Sequence, residues 1–469
     1  MEKMNFGIVG LGVMGENLAM NIESKGYSVV GFDLDSKKVD QFQTRTANRR
    51  AYAARSWADF VEHLEAPRRL LMMVPAGKAV DSVIAELRPQ LAAGDILIDG
   101  GNTLYSDTDR RIRELSGTGL LYIGAGVSGG EEGALHGPAI MPGGNAEAWP
   151  LVKPLLQAIA AKAEDGAPCC EWVGSGGSGH FVKMVHNGIE YADMQMICEA
   201  YWLMQELLCM SKPAMSETFS AWNRSELGSY LIAITAEILA KNDPETGRPM
   251  VEVILDTAEQ KGTGKWTSQI ALDLGVASPT IADAVFARTL SAIKSERVAA
   301  SRTLTGPRPT FSGNASEFIE KIRKALFASK ICSYAQGFQL LRTANQQNHW
   351  DLQFGTIASG WRAGCIIRAQ FLGRIKQAYA RNAELANLLV DPYFAGIMSE
   401  YHDAWREVIA VAAVQGIPVP AFMSALAYYD GYRSERLPAN LLQGQRDYFG
   451  AHTYQRVDKP GKFHTQWIE

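Results

Sequence analysis

An apolar run at residues 5–9 passes straight into Gly10-Leu11-Gly12-Val13-Met14-Gly15, and a stretch of helical periodicity follows. No other segment restricts the fold of this chain as strongly. A Gly-x-Gly-x-x-Gly spacing alone is a weak signal; between a strand and a helix it specifies one backbone path. The first glycine permits a tight turn, the second lets the backbone approach a ligand, and the third lets helix and strand pack closely. The exposed helix N-terminus then suits a pyrophosphate. A glycine-rich turn without a ligand is the weaker alternative in a βαβ context.

Up to residue 177, short apolar runs alternate with helical stretches, the βαβ pattern of an α/β Rossmann-type doubly wound parallel sheet. The expected strands are 5–9, 28–32, 69–74, 96–99 and 120–124. Such sheets bind ligands beyond the carboxyl ends of their strands. Val74 ends one of these strands and Ala76 follows it; both, with Asn102, join the glycine turn as expected cofactor contacts. Asp99-Gly-Gly-Asn102 and Gly126-Val-Ser128-Gly129-Gly130 follow two others, as ligand contacts or as turns only. Asp33 lies 18 residues past Gly15, where a carboxylate accepts from the adenosine ribose hydroxyls and repels a 2′-phosphate. That favours NAD over NADP, with Lys37 and Lys38 nearby as the counter-argument.

The stretch Gly174-Ser-Gly-Gly-Ser-Gly179 is either a flexible linker or a tight turn into the next helix. A large all-helical region is expected over 178–433, then an irregular tail over 434–469 that must dock on something to be ordered. One helix is expected from Ser178 to Tyr201. Within it Lys183, His186, Asn187 and Glu190 share a stripe at spacing 0, 3, 4, 7, while Met184, Val185, Gly188 and Ile189 form another. The helix is expected to be buried on both faces, with a polar ligand such as a substrate between the charges of the stripe; a solvated polar face is the alternative.

A length of 469 residues implies two or three domains. Net charge −4 implies no basic surface and argues against nucleic acid. No apolar run approaches bilayer length, and no signal peptide is expected at the start, so a cytoplasmic protein without membrane contact is the expectation. Six cysteines show no Cys-x-x-Cys spacing, and His180 and His186 lack the company of metal ligands. No metal is expected.

Taken together these residues resemble the 6-phosphogluconate dehydrogenase family. The resemblance is carried by 10–15, Asp99-Gly-Gly-Asn102, Gly126-Val-Ser-Gly-Gly-Glu-Glu-Gly133, 183–191, Ile254-Leu-Asp-Thr-Ala-Glu-Gln-Lys261-Gly-Thr263-Gly-Lys-Trp266, Leu437-Pro-Ala-Asn-Leu441 and Gln445-Arg446-Asp-Tyr-Phe-Gly-Ala-His452. It covers essentially the whole chain. It implies oxidative decarboxylation of 6-phosphogluconate to ribulose 5-phosphate and carbon dioxide with a nicotinamide cofactor, in the pentose phosphate pathway. It also implies a homodimer in which each tail enters the partner subunit. Members that use NADP resemble one another in carrying Asn-Arg-Ser or Asn-Arg-Thr at the second strand end; this chain departs with Asp33-Leu34-Asp35, so NAD is expected and NADP remains open.

On that resemblance Lys183 is the base for the C3 hydroxyl, provided burial lowers its pKa, and then polarises the ketone; Glu190 delivers a proton to C1 of the enediol. His186, Asn187 and Asn102 would hold substrate hydroxyls, and Ser128, Gly129 and Gly130 the carboxylate. The phosphate would fall to Tyr191, Lys261, Thr263 and Arg288, with Arg446 and His452 from the partner. Without the resemblance, the 261–265 turn is equally a basic surface loop, and Arg288 an exposed helix charge. The competing expectations are a β-hydroxyacid dehydrogenase acting on a small unphosphorylated acid, and a nucleotide sensor that keeps the fold without the reaction.

Overall fold

The computed structural model describes residues 3–260 and 262–468. One sheet has the order β3-β2-β1-β4-β5-β6-β7-β8. Its strands are β1 (Phe6–Val9), β2 (Val29–Phe32), β3 (Ala51–Ala53), β4 (Arg69–Met72), β5 (Ile96–Asp99), β6 (Leu121–Ser128), β7 (Ala139–Gly144) and β8 (Gly174–Ser175). All five expected strands are present, and β1 through β6 pair in parallel. The purely parallel expectation fails at β7, which is antiparallel to β6. Only the short helix Gly130–His136 joins the two, too little chain for a parallel crossover. Pairing with β7 also carries β6 on to Ser128, past its expected end at 124.

Both sheet faces are buried. In β1, Phe6 and Ile8 enter one core with Leu18 and Ile22 of α1 (Val13–Ser24), while Val9 enters the other with Val30, Phe60 and Leu70. This alternation is the period-2 pattern of a strand covered on both sides. Strand order reverses between β1 and β4, which opens a crevice at their carboxyl ends.

The Gly174–Gly179 segment is a tight turn rather than a linker. Gly174 and Ser175 form β8 against β7, and the Gly177 N–H donates to Asp109 at 2.8 Å. The helix after this turn, α2 (Ser178–Glu206), outruns its expected end at Tyr201 by a further turn. It forms the wall between the sheet and a third core built with α3 (Thr263–Asp273), α4 (Pro279–Ala292), α5 (Ala315–Asn348), α6 (Pro392–Val414) and α7 (Pro420–Tyr432). Lys330 of α5 and Asp193 of α2 pair at 2.6 Å with both side chains buried. The tail is less irregular than expected: α8 (Ala439–Gly450) is followed by an antiparallel bridge between Tyr454 and Phe463. Among the described residues, no helix is long and apolar enough to cross a membrane.

Candidate active site

Glycines bring α2 onto the sheet. A Cβ on Gly126 would lie 2.3 Å from Lys183 Cβ, one on Gly124 would lie 2.7 Å from His180 Nδ1, and one on Gly143 would lie 2.2 Å from Ser178 Oγ. Bare backbone at these three strand positions therefore lets the first two turns of α2 lie directly on β6 and β7. That contact sets Lys183 near the carboxyl end of β6, the strand that ends in Ser128.

The polar stripe of α2 is buried, which decides between its two readings. Lys183, His186 and Asn187 are all buried, and the Glu190 side chain is 20% exposed. His186 Nε2 meets Ser128 Oγ at 3.3 Å, its Nδ1 meets Asn187 Oδ1 at 3.0 Å, and Glu190 stands 3.7 Å from the same nitrogen. Burial lowers the Lys183 ammonium from the usual lysine range, against the opposing pull of Glu190. Burial likewise raises the Glu190 carboxyl, with Asp193 adding to the effect while Lys183 and Arg288 oppose it. His186 falls well below the ordinary imidazole value through burial and the Lys183 charge, so it is neutral. A neutral amine and a protonated carboxyl are each favoured by the site, and such displaced pairs are what acid–base chemistry requires.

The apolar face of α2 meets α3. A Cβ on Gly188 would lie 2.6 Å from Thr267, and one on Gly264 would lie 2.5 Å from the Tyr191 ring. Thr267 ties the helices together by donating to the Met184 carbonyl at 2.8 Å. Tyr191 is thereby packed on Gly264, and both it and the neighbouring Thr263 are buried. The Arg288 guanidinium stacks 3.5 Å from the Tyr191 ring centroid and donates to the Glu259 carbonyl at 3.2 Å. These are groups with which a phosphate can be held. Lys261 lies outside the described residues. Arg446 and His452 do not join the site in their own chain: both are exposed, and Arg446 bonds Gln443 instead.

The glycine turn has the shape its spacing implies. Gly10 has φ 97°, and a Cβ there would strike the Met73 carbonyl at 2.5 Å; one on Gly15 would lie 1.8 Å from the Gly10 carbonyl. Gly12 caps α1 without any side-chain bond and faces open space, so the free N–H groups of Gly12 through Gly15, passing Val13 and Met14, fit a pyrophosphate. Asp33 Oδ2 accepts the Leu11 N–H at 2.8 Å and Oδ1 accepts the Asp35 N–H at 2.9 Å. Lys38 stands 3.5 Å from Asp33, and Leu34 is 81% exposed. Val74 borders Gly10, its carbonyl faces Gly101, and Ala76 follows it; Asn102 is exposed beyond them. Asp99 holds that turn by accepting from Gly101 N at 3.0 Å, Thr103 Oγ1 at 2.7 Å and Arg111 Nη1 at 3.2 Å. Among the described residues, no group of three or more His, Cys, Asp or Glu is arranged to hold a metal.

Sequence reasoning missed one contributor. The loop Trp361-Arg-Ala-Gly364-Cys365 comes from far along the chain, yet the Gly364 carbonyl lies against Gly129 and accepts from Ala139 N at 2.9 Å. Trp361 packs edge-on to His186 at 5.6 Å. Burial pushes the Cys365 thiol up to about 12, against the opposing pull of the Lys183 ammonium. No spacing in the sequence announces this contact, because it is purely tertiary.

Known proteins match both halves of this geometry. A model of the NAD binding domain of 6-phosphogluconate dehydrogenase matches residues 5–174, and one of the 6-phosphogluconate dehydrogenase C-terminal domain matches residues 179–467. A Bacillus subtilis (strain 168) protein named "6-phosphogluconate dehydrogenase, NADP(+)-dependent, decarboxylating" is 56% identical over 470 residues, covering all of both chains. An Escherichia coli (strain K12) protein named "6-phosphogluconate dehydrogenase, decarboxylating" is 55% identical over 469 residues, again covering both completely. The solved Plasmodium falciparum 6-phosphogluconate dehydrogenase, described in apo form and with NADP+ or 6-phosphogluconate, aligns with a TM-score of 0.96 at 40% identity. That alignment covers 99% of this chain and 100% of the other.

Proposed function

The chain belongs to the 6-phosphogluconate dehydrogenase family, and on that premise we propose that it converts 6-phosphogluconate to ribulose 5-phosphate and carbon dioxide while reducing a nicotinamide dinucleotide. This is the decarboxylating step of the pentose phosphate pathway. The observation that carries the reading is the buried Lys183–Glu190 stripe, seated on Gly126 at the end of the strand that carries Ser128.

A nicotinamide dinucleotide held on the Gly10–Gly15 turn would supply the acceptor for the hydride that leaves C3 of the substrate. Lys183, neutral beforehand, accepts the C3 hydroxyl proton. Its ammonium then donates to the new ketone oxygen as the C1–C2 bond breaks and carbon dioxide leaves, so electron density builds up on an oxygen already hydrogen-bonded to a cation. Glu190 protonates the carbon that becomes C1 of the product, and Lys183 recovers the enol proton. Return of that proton from Lys183 to Glu190 resets the pair with no net proton taken up. His186, Asn187 and Asn102 hold the hydroxyls, Ser128, Gly129 and Gly130 the carboxylate, and Tyr191, Lys261, Thr263 and Arg288 the phosphate.

Arg446 and His452 of a second copy complete the phosphate end. Exposed Phe286, Leu290, Leu441, Leu442 and Phe449 give that copy apolar surface to cover, in support of a homodimer that exchanges tails. We divide the chain at 177/178 and 433/434 accordingly, and place it in the cytosol on the strength of its six free cysteines. For the cofactor we propose NAD. Asp33 braces the glycine turn yet keeps lone pairs for the ribose hydroxyls, and exposed Leu34 offers a 2′-phosphate no cation. The B. subtilis relative is named for NADP, and Lys37 or Lys38 is the route by which this chain would follow it.

The test is incubation of purified protein with 6-phosphogluconate and each dinucleotide, following cofactor reduction and carbon dioxide release. No reduction with either cofactor overturns the reading. Bound cofactor without turnover indicates a sensor.

A further inference from the structure

We propose that Asp447 is a positioning residue whose carboxylate folds the chain beyond α8 into a clasp, which presents His452 and Arg446 in fixed geometry to a second copy of this chain. The inference rests on the tail-exchange reading above and adds what that reading lacks, a reason for the tail to hold one shape.

Asp447 occupies the last turn of α8, where the helix dipole disfavours an anion. Its side chain is nevertheless fully buried, between exposed Arg446 and exposed Tyr448. Four donors account for this. Oδ1 accepts Thr453 N at 2.9 Å and meets His464 Nδ1 at 2.9 Å; Oδ2 accepts Thr465 N at 3.0 Å and Trp467 Nε1 at 2.8 Å. A carboxylate has about four lone-pair sites, so this one is saturated by residues later in the chain. Tyr454 and Phe463 close the loop between them with two backbone bonds of 2.8 Å each.

His452 is the residue this arrangement fixes. It sits between Ala451 at φ 48° and Thr453 at φ 61°, both in the left-handed region that L residues hold only when surrounding structure imposes it. Asp447 imposes it on both sides: its carbonyl accepts Ala451 N at 2.9 Å and its carboxylate accepts Thr453 N. Gln443 adds a 2.6 Å bond to the Thr453 carbonyl, and the same side chain accepts from Arg446 at 3.2 Å. The imidazole lies over Gly450, where a Cβ would come 2.6 Å from Nε2, and edge-on to Phe449. One turn thus organises both tail residues assigned to the neighbour's phosphate. Ordering them beforehand lowers the entropy lost when they engage.

The test uses Asp447→Ala in the full-length protein, with Trp467→Phe as a milder second variant that removes one donor. Asp447→Ala should raise KM for 6-phosphogluconate about 10- to 100-fold, the loss of one or two hydrogen bonds to a charged group. The cofactor KM and thermal midpoint should stay near wild type, since the clasp lies outside the fold's cores. Trp467→Phe should shift the substrate KM in the same direction by less. Co-expression with Lys183→Ala, which has a dead site and an intact tail, should then restore a wild-type KM. In mixed dimers the working site receives the intact tail. A wild-type KM in Asp447→Ala, beside a raised KM in Arg446→Ala, overturns the clasp and leaves tail exchange standing. A raised KM that co-expression fails to restore overturns tail exchange itself.

Discussion

Replacing Gly126 with alanine tests the seating of Lys183 while leaving every reacting group chemically unchanged. Gly126 is a strand residue, paired with Met141, and is not among the positive-φ glycines, so alanine meets no torsional penalty there. It meets α2 alone: the new methyl would lie 2.3 Å from Cβ and 2.8 Å from Cγ of Lys183, and 3.3 Å from the Gly179 carbonyl oxygen. Ordinary contact begins near 3.4 Å, so α2 must withdraw from β6 by about 1 Å, and a displacement of that size at a reacting group costs about 10²-fold. Overpacking of this kind also lowers stability by about 1–3 kcal/mol. The assay is kcat with C3-protiated and C3-deuterated substrate, beside a thermal melt. The expected result is a kcat reduced about 100-fold with an enlarged isotope effect, in a protein that still unfolds cooperatively. A folded variant with kcat within about threefold of wild type would show that α2 tolerates displacement and would refute the packing argument.

Glu190→Gln should lower kcat about 10²- to 10⁴-fold and abolish the high-pH decline of kcat, because it removes the acid with the raised pKa. The same shift governs stability. The Glu190 contribution is fully present below the ordinary carboxyl value of about 4.3 and is lost as pH rises through the higher folded value. The glutamine variant should therefore gain thermal stability over wild type at neutral pH and lose that advantage in acid; an advantage independent of pH contradicts the assignment. Lys330→Met leaves Asp193 buried without its partner and should cost about 3–5 kcal/mol in denaturant unfolding, an effect that Asp193→Leu in the same chain should largely relieve. Asp33→Asn with Leu34→Arg should move the kcat/KM ratio toward NADP by about tenfold or more, the size of one new charge-assisted bond, and an unmoved ratio discredits the charge argument.

What the sequence disclosed and what it hid divide along contact range. The glycine turn was legible because each glycine answers a demand made within a few residues, such as Gly15 passing under the Gly10 carbonyl. The Lys183–Glu190 stripe was legible as a stripe, and burial on both faces of its helix was expected; what buries it was not legible, since Gly124, Gly126 and Gly143 come up from other strands. β7 was missed because its residues, Ala139–Gly144, carry proline and paired glycines that read as a turn. Loop 361–365 and the Asp447 clasp left no local mark either: one spans more than 200 residues to reach Gly129, and the other depends on a carboxylate at an unfavourable end of its helix.

The central claim is that a neutral Lys183 amine takes the C3 hydroxyl proton, and single-turnover hydride transfer in Lys183→Ala tests it most directly. Loss of the base and of its later role as acid should slow cofactor reduction by about 10³-fold or more, with the Kd for 6-phosphogluconate within about tenfold of wild type. Near-normal hydride transfer in a variant that binds substrate would contradict the account.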